Sequence, residues 1–137
     1  LDSLLSVCGS AGDCDLLKID VDGYDGEILL GAAGLLSERQ PLVIFEWHPF
    51  LIKHCCKDCH APFRALARAG YRKLLWFSNR GPFSHRSEIP TEEESAWWRD
   101  FLIEKHRPLG PHFDIIALPP VLESLADGIT RSAIFPG

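Results

Sequence analysis

The sequence contains no methionine and no apolar run that approaches the length of a membrane span. A membrane-crossing helix needs about 20 consecutive apolar residues, so we expect no insertion into a bilayer. The first residues, LDSLLSV, also lack the basic region and the long apolar core of a secretory signal peptide. Because the chain has no Met and begins with Leu, we expect it to be a fragment or a numbering window of a longer product.

Positive charge is also scarce. There are 14 Lys and Arg against 19 Asp and Glu, which gives a net charge of -5, and the basic residues are scattered. A nucleic-acid surface requires a basic cluster, so we expect no nucleic-acid partner. Small molecules or proteins are the expected partners, and association into a homo-oligomer stays open.

The composition is that of one soluble globular domain, with 46% apolar and 24% charged residues over 137 positions. A chain of this size hides about 70% of its unfolded surface on folding. The five cysteines are odd in number and irregularly spaced, unlike a secreted disulfide framework: Cys8, Cys14, Cys55, Cys56 and Cys59. We therefore expect a single domain over residues 1–137 and a reducing, cytoplasmic location.

Apolar segments and their spacing predict an α/β fold. Residues 15–21 (DLLKIDV) and 41–47 (PLVIFEW) have the composition of buried strands. Between them, apolar residues over 28–36 recur at helical spacing after DGYDGE, which predicts one helix and a parallel βαβ unit. Glycines at 26, 31 and 34 weaken that helix, so we expect them to allow close packing on the sheet.

The second half of the chain continues the pattern. We predict a helix from Pro62 to Gly70, a strand over residues 71–77 and a turn at SNRGP. A loop carrying His85 follows, where it could cover a substrate or simply face solvent. Thr91 and Glu94 have capping-box spacing at the start of a helix that extends to about His106. Residues 113–118 (FDIIAL) complete the prediction as a last strand.

Acidic residues and one histidine follow the first two predicted strands. Asp20 and Asp22 leave the first strand in KIDVDG, and Glu46 and His48 leave the second in FEWHP. Ligands of open α/β sheets bind at the carboxyl ends of the strands, so these side chains could meet at one edge. They could act as a general base on a hydroxyl or hold a divalent cation. Alternatively, Asp22 is only the N-cap of the following helix, and Glu46 and His48 form a polar rim.

A second cluster lies in HCCKDCH, residues 54–60, with ligands that zinc prefers: the Cys56 and Cys59 pair, with Cys55, His54 and His60 as further candidates. A closed zinc site needs four ligands, and a second distant pair of cysteines is missing. The candidates are so close in sequence that a compact four-ligand site would be strained. The alternative is a set of solvent-facing or half-buried thiols.

The segments KIDVDGYDGEILLGA and PLVIFEWHP resemble the FkbM-type family of S-adenosylmethionine-dependent methyltransferases. AGYRKLLWF, FSH and HFDIIAL are also placed as in that family, so the resemblance covers roughly residues 2–120. It implies a Rossmann-like class I methyltransferase fold, of which this chain is the carboxyl half. The sheet would be mostly parallel, with an antiparallel last strand beside the third strand of the chain.

The resemblance also implies an activity, the transfer of a methyl group from S-adenosyl-L-methionine to a hydroxyl of a sugar or another small molecule. Asp20 and Asp22 match the two acids of the family box, Glu46 matches the acid that closes the next strand, and His48 belongs to the FEWHP variant. We expect catalytic roles for these four residues, with Asp20 or His48 as the base. In a variant of this hypothesis, Mg2+ is held by Asp20, Asp22 and Glu46.

The chain departs from the family by lacking the glycine-rich loop and the acidic residue that bind the cofactor. We therefore expect the 137 residues alone not to bind S-adenosylmethionine tightly, with the main contacts upstream. Two alternatives stay open. One is a non-catalytic interaction module derived from a methyltransferase half, and the other is a small zinc-stabilised α/β domain.

Overall fold

Five strands form one mixed sheet in the computed structural model, which describes residues 1–8, 14–105 and 111–126. The strands are β1 (Leu16–Ile19), β2 (Leu42–Trp47), β3 (Lys73–Ser78), β4 (Phe83–Glu88) and β5 (Phe113–Leu118). Their order across the sheet is β1-β2-β5-β3-β4. The predicted helix end near His106, and the break after it, lie outside the described residues.

The described residues contain six α-helices, the first before β1 and the other five between strands. They are α1 (Asp2–Cys8), α2 (Asp25–Leu30), α3 (Ala33–Arg39), α4 (Pro49–His54), α5 (Ala61–Arg68) and α6 (Glu92–Lys105). A 3-10 helix at Pro120–Leu125 follows β5. The predicted α/β class is confirmed.

The last strand lies inside the sheet. β5 is antiparallel to β2 on one side, with Glu46 opposite Asp114, and antiparallel to β3 on the other. β3 and β4 form an antiparallel hairpin, so β1 with β2 is the single parallel pair among the described residues. The prediction of an antiparallel last strand is confirmed, but the prediction of a mostly parallel sheet is wrong here. The reason is that β5 lies between β2 and β3 and runs antiparallel to both. β4, at the sheet edge, is antiparallel to β3 as well.

The helix predicted over residues 28–36 is two helices, α2 and α3, separated at Gly31 and Ala32. The apolar residues keep one spacing through the break, which is why the pattern alone predicts a single helix. The second helix has a distant cap. The Asp2 carboxylate accepts hydrogen bonds from the backbone N–H groups of Gly34 and Leu35, at 2.7 and 3.2 Å.

Gly26 packs against a helix and not against the sheet, which corrects the prediction for this position. A Cβ atom here would lie 2.8 Å from Cδ of Pro62 and 2.9 Å from Cβ of Ala61, at the start of α5. The missing side chain therefore lets α2 and α5 approach each other closely.

Two short elements next to the strand ends were not predicted. α4 begins directly after β2, where Pro49 suggested only the end of a strand. β4 occupies the segment that we predicted as a loop, so His85 lies on a strand. Its ring stacks on Trp76 of β3, with centroids 5.1 Å apart.

The two faces of the sheet are covered unequally. The larger core contains Phe45, Trp47, Phe63 and Leu74, all at most 1% exposed, and it joins the sheet to α2, α3 and α5. The smaller cluster, built on Leu75, Leu118 and Ala126, joins the other face to the 3-10 helix. The helical layer thus supplies most of the buried apolar surface, which is the dominant favourable term in folding.

Candidate functional site

The candidate site lies at the sheet edge where β1 and β2 end and β5 begins. Asp20 follows β1, while Glu46 and His48 are at the end of β2. β5 runs in the opposite direction, so the residue that precedes it, His112, arrives at the same edge. Residues from three neighbouring strands therefore meet here.

An imidazole and a carboxylate are paired at the centre of this edge. His112 Nε2 lies 3.1 Å from Glu46 Oε1, and their side chains are 22% and 15% exposed. The ring of His48 stacks on that of His112, with centroids 4.4 Å apart and planes 15° apart. The stack and the contact with Glu46 together restrict how the His112 ring can turn.

Burial raises the pKa of Glu46. The imidazole of His112 opposes this rise, while the carboxylates of Asp25, Asp20 and Asp114 add to it. Because Glu46 Oε2 is buried without a hydrogen-bond partner, half of this carboxyl group has no protein donor.

A second buried carboxyl group, that of Asp25, contacts the backbone of Glu46. Asp25 is 2% exposed and its Oδ1 accepts a hydrogen bond from the Glu46 backbone N–H at 3.2 Å. Its Oδ2 is buried without a hydrogen-bond partner. Burial raises the pKa of Asp25, and nearby backbone N–H groups, first that of Glu46, oppose the rise. Two carboxyl groups with one unpartnered oxygen each are thus adjacent at this edge.

His48 is buried, at 6% exposure, and it also begins α4. Its Nδ1 accepts the backbone N–H of Leu51 at 3.5 Å. Burial and the neighbouring His112 lower the pKa of His48, and Asp22 opposes this effect. In the neutral ring with an accepting Nδ1, the proton is assigned to Nε2.

Asp20 and Asp22 lie on the exposed side of the edge. Asp20 Oδ2 is 3.2 Å from Lys18 Nζ in an exposed ion pair. The interpretation of Asp22 as an N-cap is wrong, because α2 begins at Asp25 with Tyr24 at the capping position. Asp22 instead takes a left-handed conformation, with φ of 50°, in the turn after β1.

The turn after β1 is fixed by Gly23. This residue has φ of 92°, and a Cβ atom here would lie 2.9 Å from the backbone carbon of Leu51. The close approach packs the turn against α4, the helix that begins at His48. The same contact places Asp22 near His48, where the negative charge of Asp22 opposes the lowering of the His48 pKa.

The structure thus gathers the four predicted residues at one edge, in two layers: a buried layer with Glu46 and His48 and an exposed layer with Asp20 and Asp22. It adds Asp25 and His112, which the sequence analysis missed. His112 could have been found by extending the strand-end rule to the start of the predicted antiparallel strand. Asp25, one of several acids in DGYDGE, had no distinguishing signal.

Neither proposed metal site has a matching cluster. Within residues 1–8, 14–105 and 111–126, no three His, Cys, Asp or Glu side chains are arranged to hold an ion. Asp20, Asp22 and Glu46 therefore do not fit a Mg2+ site. The zinc candidates also differ in exposure and in their partners. Cys56 is exposed, Cys59 is buried, and His60 Nδ1 is 3.2 Å from Ser95 Oγ.

A cavity of about 480 Å3 lies elsewhere, between the β3–β4 hairpin and the 3-10 helix. Lys73, Arg86, Glu88 and Glu123 contribute to its lining. Lys73 and Glu88 are paired at 2.7 Å. The β1–β2 edge makes the stronger candidate, because burial shifts the pKa values of Asp25, Glu46 and His48, and the two carboxyl groups each have one buried oxygen without a hydrogen-bond partner.

A family model described as the methyltransferase FkbM domain matches residues 1–73. These residues include both strand exits, with Asp20, Asp22, Asp25, Glu46 and His48, whereas His112 lies beyond them. No curated protein and no solved structure gives a significant match to the chain. Among the described residues, no helix combines the length and apolar character that crossing a membrane requires.

Proposed function

The chain belongs to the FkbM methyltransferase family, and from this premise we propose that it takes part in S-adenosylmethionine-dependent transfer of a methyl group to a hydroxyl. The acceptor in this proposal is a sugar or another small molecule. The fold in this proposal is the carboxyl half of a Rossmann-like class I methyltransferase, in which β1, β2 and β5 form the acceptor side of the site.

The observation that carries the proposal is the convergence of carboxylates and imidazoles at one sheet edge. Methylation of a hydroxyl requires removal of its proton as the new bond forms. Glu46, His48 and His112 carry carboxyl and imidazole groups, the types of side chain used as general bases, and they lie together. Open α/β sheets bind their ligands at this edge.

The exposed carboxylates fit the charge of the proposed cofactor. When bound, S-adenosylmethionine supplies an activated methyl group on a positively charged sulfur. Asp20 and Asp22 present negative charge on the open side of the edge and are the residues that would hold its cationic part. The buried layer behind them would orient the acceptor and receive its proton.

Titration calorimetry with S-adenosylhomocysteine tests the proposal. We would compare the 137-residue chain with the complete gene product that contains it. We expect binding by the complete product and weaker binding by the 137-residue chain. Because S-adenosylhomocysteine lacks the charged sulfur, the two carboxylates are tested with S-adenosylmethionine itself. Asp20→Asn/Asp22→Asn in the complete product should bind it at least about tenfold more weakly, while Glu27→Gln, which changes an exposed acid on α2, should bind it normally. If neither of the two proteins binds S-adenosylhomocysteine, the result contradicts the enzymatic function.

An exposed aromatic surface favours a second candidate function, the binding of a protein partner. Trp97, Trp98 and Phe101 of α6 are 58%, 39% and 36% exposed, and the rings of Trp97 and Phe101 stack with centroids 5.2 Å apart. Aromatic residues are enriched at protein interfaces. Two results together would support this candidate. The wild-type protein would not bind S-adenosylhomocysteine, and Trp97→Ala would abolish a self-association or partner binding that the wild-type protein shows.

A further inference from the structure

We propose that the solvent-facing side of α6 binds a basic, amphipathic helical segment of another protein. Four residues carry this proposal, and we call them the α6 stripe: Glu93, Trp97, Phe101 and Glu104. The proposal rests on the second candidate function and specifies its partner, and it does not depend on methyl transfer.

The α6 stripe runs along one side of the helix. Its members are spaced by four, four and three positions, the spacing at which helical side chains are neighbours. All four are exposed, whereas Ser95 and Leu102 on the opposite side are buried. Because Leu102 packs into the larger core, the helix presents the stripe to solvent.

The aromatic centre of the stripe is held in place by other rings. The planes of Trp97 and Phe101 are 10° apart, and the ring of Trp98 packs edge-to-face against both. Trp98 in turn stacks on His85 of β4, with centroids 6.5 Å apart. Side chains that are already ordered lose little conformational entropy when a partner covers them, so this centre suits an interface.

A carboxylate lies at each end of the aromatic centre. Glu93 lies one turn before Trp97, and Glu104 lies about one turn after Phe101. A rise of 1.5 Å per residue places these two acids about 16 Å apart along the helix axis. Among the residues that the structure describes, neither side chain has an ion pair or a hydrogen-bond partner.

The other exposed acids near the stripe already have partners. Glu94 Oε2 accepts hydrogen bonds from Thr91 in the capping box, and Asp100 holds the Arg99 guanidinium at 2.8 and 3.0 Å. The unmatched charges are therefore those at the two ends of the stripe. A helix with Lys or Arg about 11 positions apart and apolar residues between them matches both the charges and the aromatic centre.

A second copy of this chain does not match the stripe. Two antiparallel α6 helices would bring Glu93 of one against Glu104 of the other, and two parallel helices would bring identical acids together. Like charges that face each other across an interface oppose association. With five acidic and two basic residues in α6, nucleic acids and anionic membranes are repelled as well.

Binding of a designed peptide tests the proposal. The probe is a fluorescently labelled helix of about 14 residues with leucine on one face and lysine on the other, and its acidic twin has glutamate in place of lysine. Fluorescence anisotropy measures the binding of both to the complete gene product. We expect the basic peptide to bind at least about tenfold more tightly than the acidic twin, with an affinity that falls as salt is added.

Charge variants locate the binding surface. Glu93→Gln/Glu104→Gln should weaken binding of the basic peptide by about three- to tenfold, because two exposed ion pairs are lost. The matched control is Glu27→Gln/Glu38→Gln, which removes the same number of charges from exposed acids on α2 and α3. Its affinity should stay within about twofold of the wild-type value.

Aromatic variants test the centre of the stripe. Trp97→Ala/Phe101→Ala should weaken binding of the basic peptide at least about tenfold, since buried aromatic side chains dominate interface energetics. Trp97→Phe keeps a ring at this position and should bind within about threefold of the wild-type value. Both variants should retain the wild-type circular dichroism spectrum, because the two side chains are exposed.

Several results would overturn the assignment of a basic partner. They are equal binding of the two peptides, equal weakening by the two charge variants, and unchanged binding by Trp97→Ala/Phe101→Ala. Self-association that Trp97→Ala abolishes would assign the stripe to a second copy instead, and no binding of either peptide would count against the second candidate function itself. None of these measurements involves S-adenosylhomocysteine, so a failure here is distinguishable from a failure of the proposed methyl transfer.

Discussion

The carboxyl group of Asp25 illustrates how one buried side chain couples stability to pH. Burial raises its pKa above the ordinary value of 3.8. As pH rises through 3.8, the unfolded chain loses this proton while the folded chain retains it, so the folded state binds more protons. The free energy of unfolding therefore falls with rising pH between 3.8 and the raised pKa of the folded state.

We predict that Asp25→Asn removes this pH dependence. The amide oxygen can still accept the Glu46 N–H, and the variant has no charge to bury. The difference in free energy of unfolding, variant minus wild type, should increase as pH is raised from 4 to 7. Urea unfolding at several pH values measures it, with Glu27→Gln as the control. A difference that is constant across this range would show that Asp25 has the same charge in both states.

Gly23 and Gly81 allow a matched test of backbone strain against steric contact. Their φ angles are 92° and 93°, but a Cβ atom at Gly23 would meet Leu51 at 2.9 Å, whereas one at Gly81 would meet nothing within 4 Å. We predict that Gly81→Ala costs about 1 kcal/mol and that Gly23→Ala costs at least about 2 kcal/mol. Denaturant unfolding of both variants measures the two costs. Equal costs would show that the turn at Gly23 relaxes away from α4.

Helix α6 shows what a local sequence signal can specify. Thr91 and Glu94 form the predicted capping box, with the Thr91 N–H donating to Glu94 Oε2 at 2.8 Å and the Glu94 N–H donating to Thr91 Oγ1 at 3.2 Å. Both bonds involve residues three positions apart, so no distant part of the chain is needed to form them.

We expect Thr91→Ala to destabilise the protein by about 1 kcal/mol, because one N–H group at the start of α6 loses its acceptor. Thr91→Ser keeps the hydroxyl and should cost less. Chemical denaturation of the two variants gives the comparison. If both cost the same, the methyl group of Thr91 and not its hydroxyl would be the stabilising group.

The elements that the sequence predicted share this local character. β2 and β5 are mostly apolar segments, and α5 has Pro62 in its first turn and a left-handed Gly70 after its end. β4 lacks such a signal, because its FSHRSE sequence is polar and its pairing with β3 is settled by contacts such as that of Trp76 with His85. The break between α2 and α3 depends partly on a cap from Asp2, more than 30 residues away, which no local pattern reveals.

The candidate site was predictable to the same extent. Parallel strand exits identified Asp20, Asp22, Glu46 and His48 from their positions alone. His112 joins them only because β5 inserts between β2 and β3, and this order depends on tertiary packing. The chemistry at the edge thus depends on a topological feature that strand prediction by itself does not give.

The unequal cover of the sheet gives a prediction for two neighbouring residues of β5. Ile115 is fully buried in the larger core, while Ile116 packs in the smaller cluster on the other face. We predict that Ile115→Ala costs about 2–5 kcal/mol and that Ile116→Ala costs clearly less, since Ile116 is only partly buried and its truncation removes less buried surface. Urea unfolding of both variants tests this, and a reversed order would mean that the 3-10 helix face carries the greater share of stability.

The central position of β5 also sets the order in which the molecule can be completed during synthesis. Residues 42–47 and 73–78 are made long before their common neighbour, residues 113–118. Until that segment leaves the ribosome, β2 and β3 each keep an open hydrogen-bonding edge, which is a hazard for aggregation. The arrival of the last strand closes both edges and brings His112 to Glu46, so a nascent chain completes this contact at the moment when it loses its exposed edges.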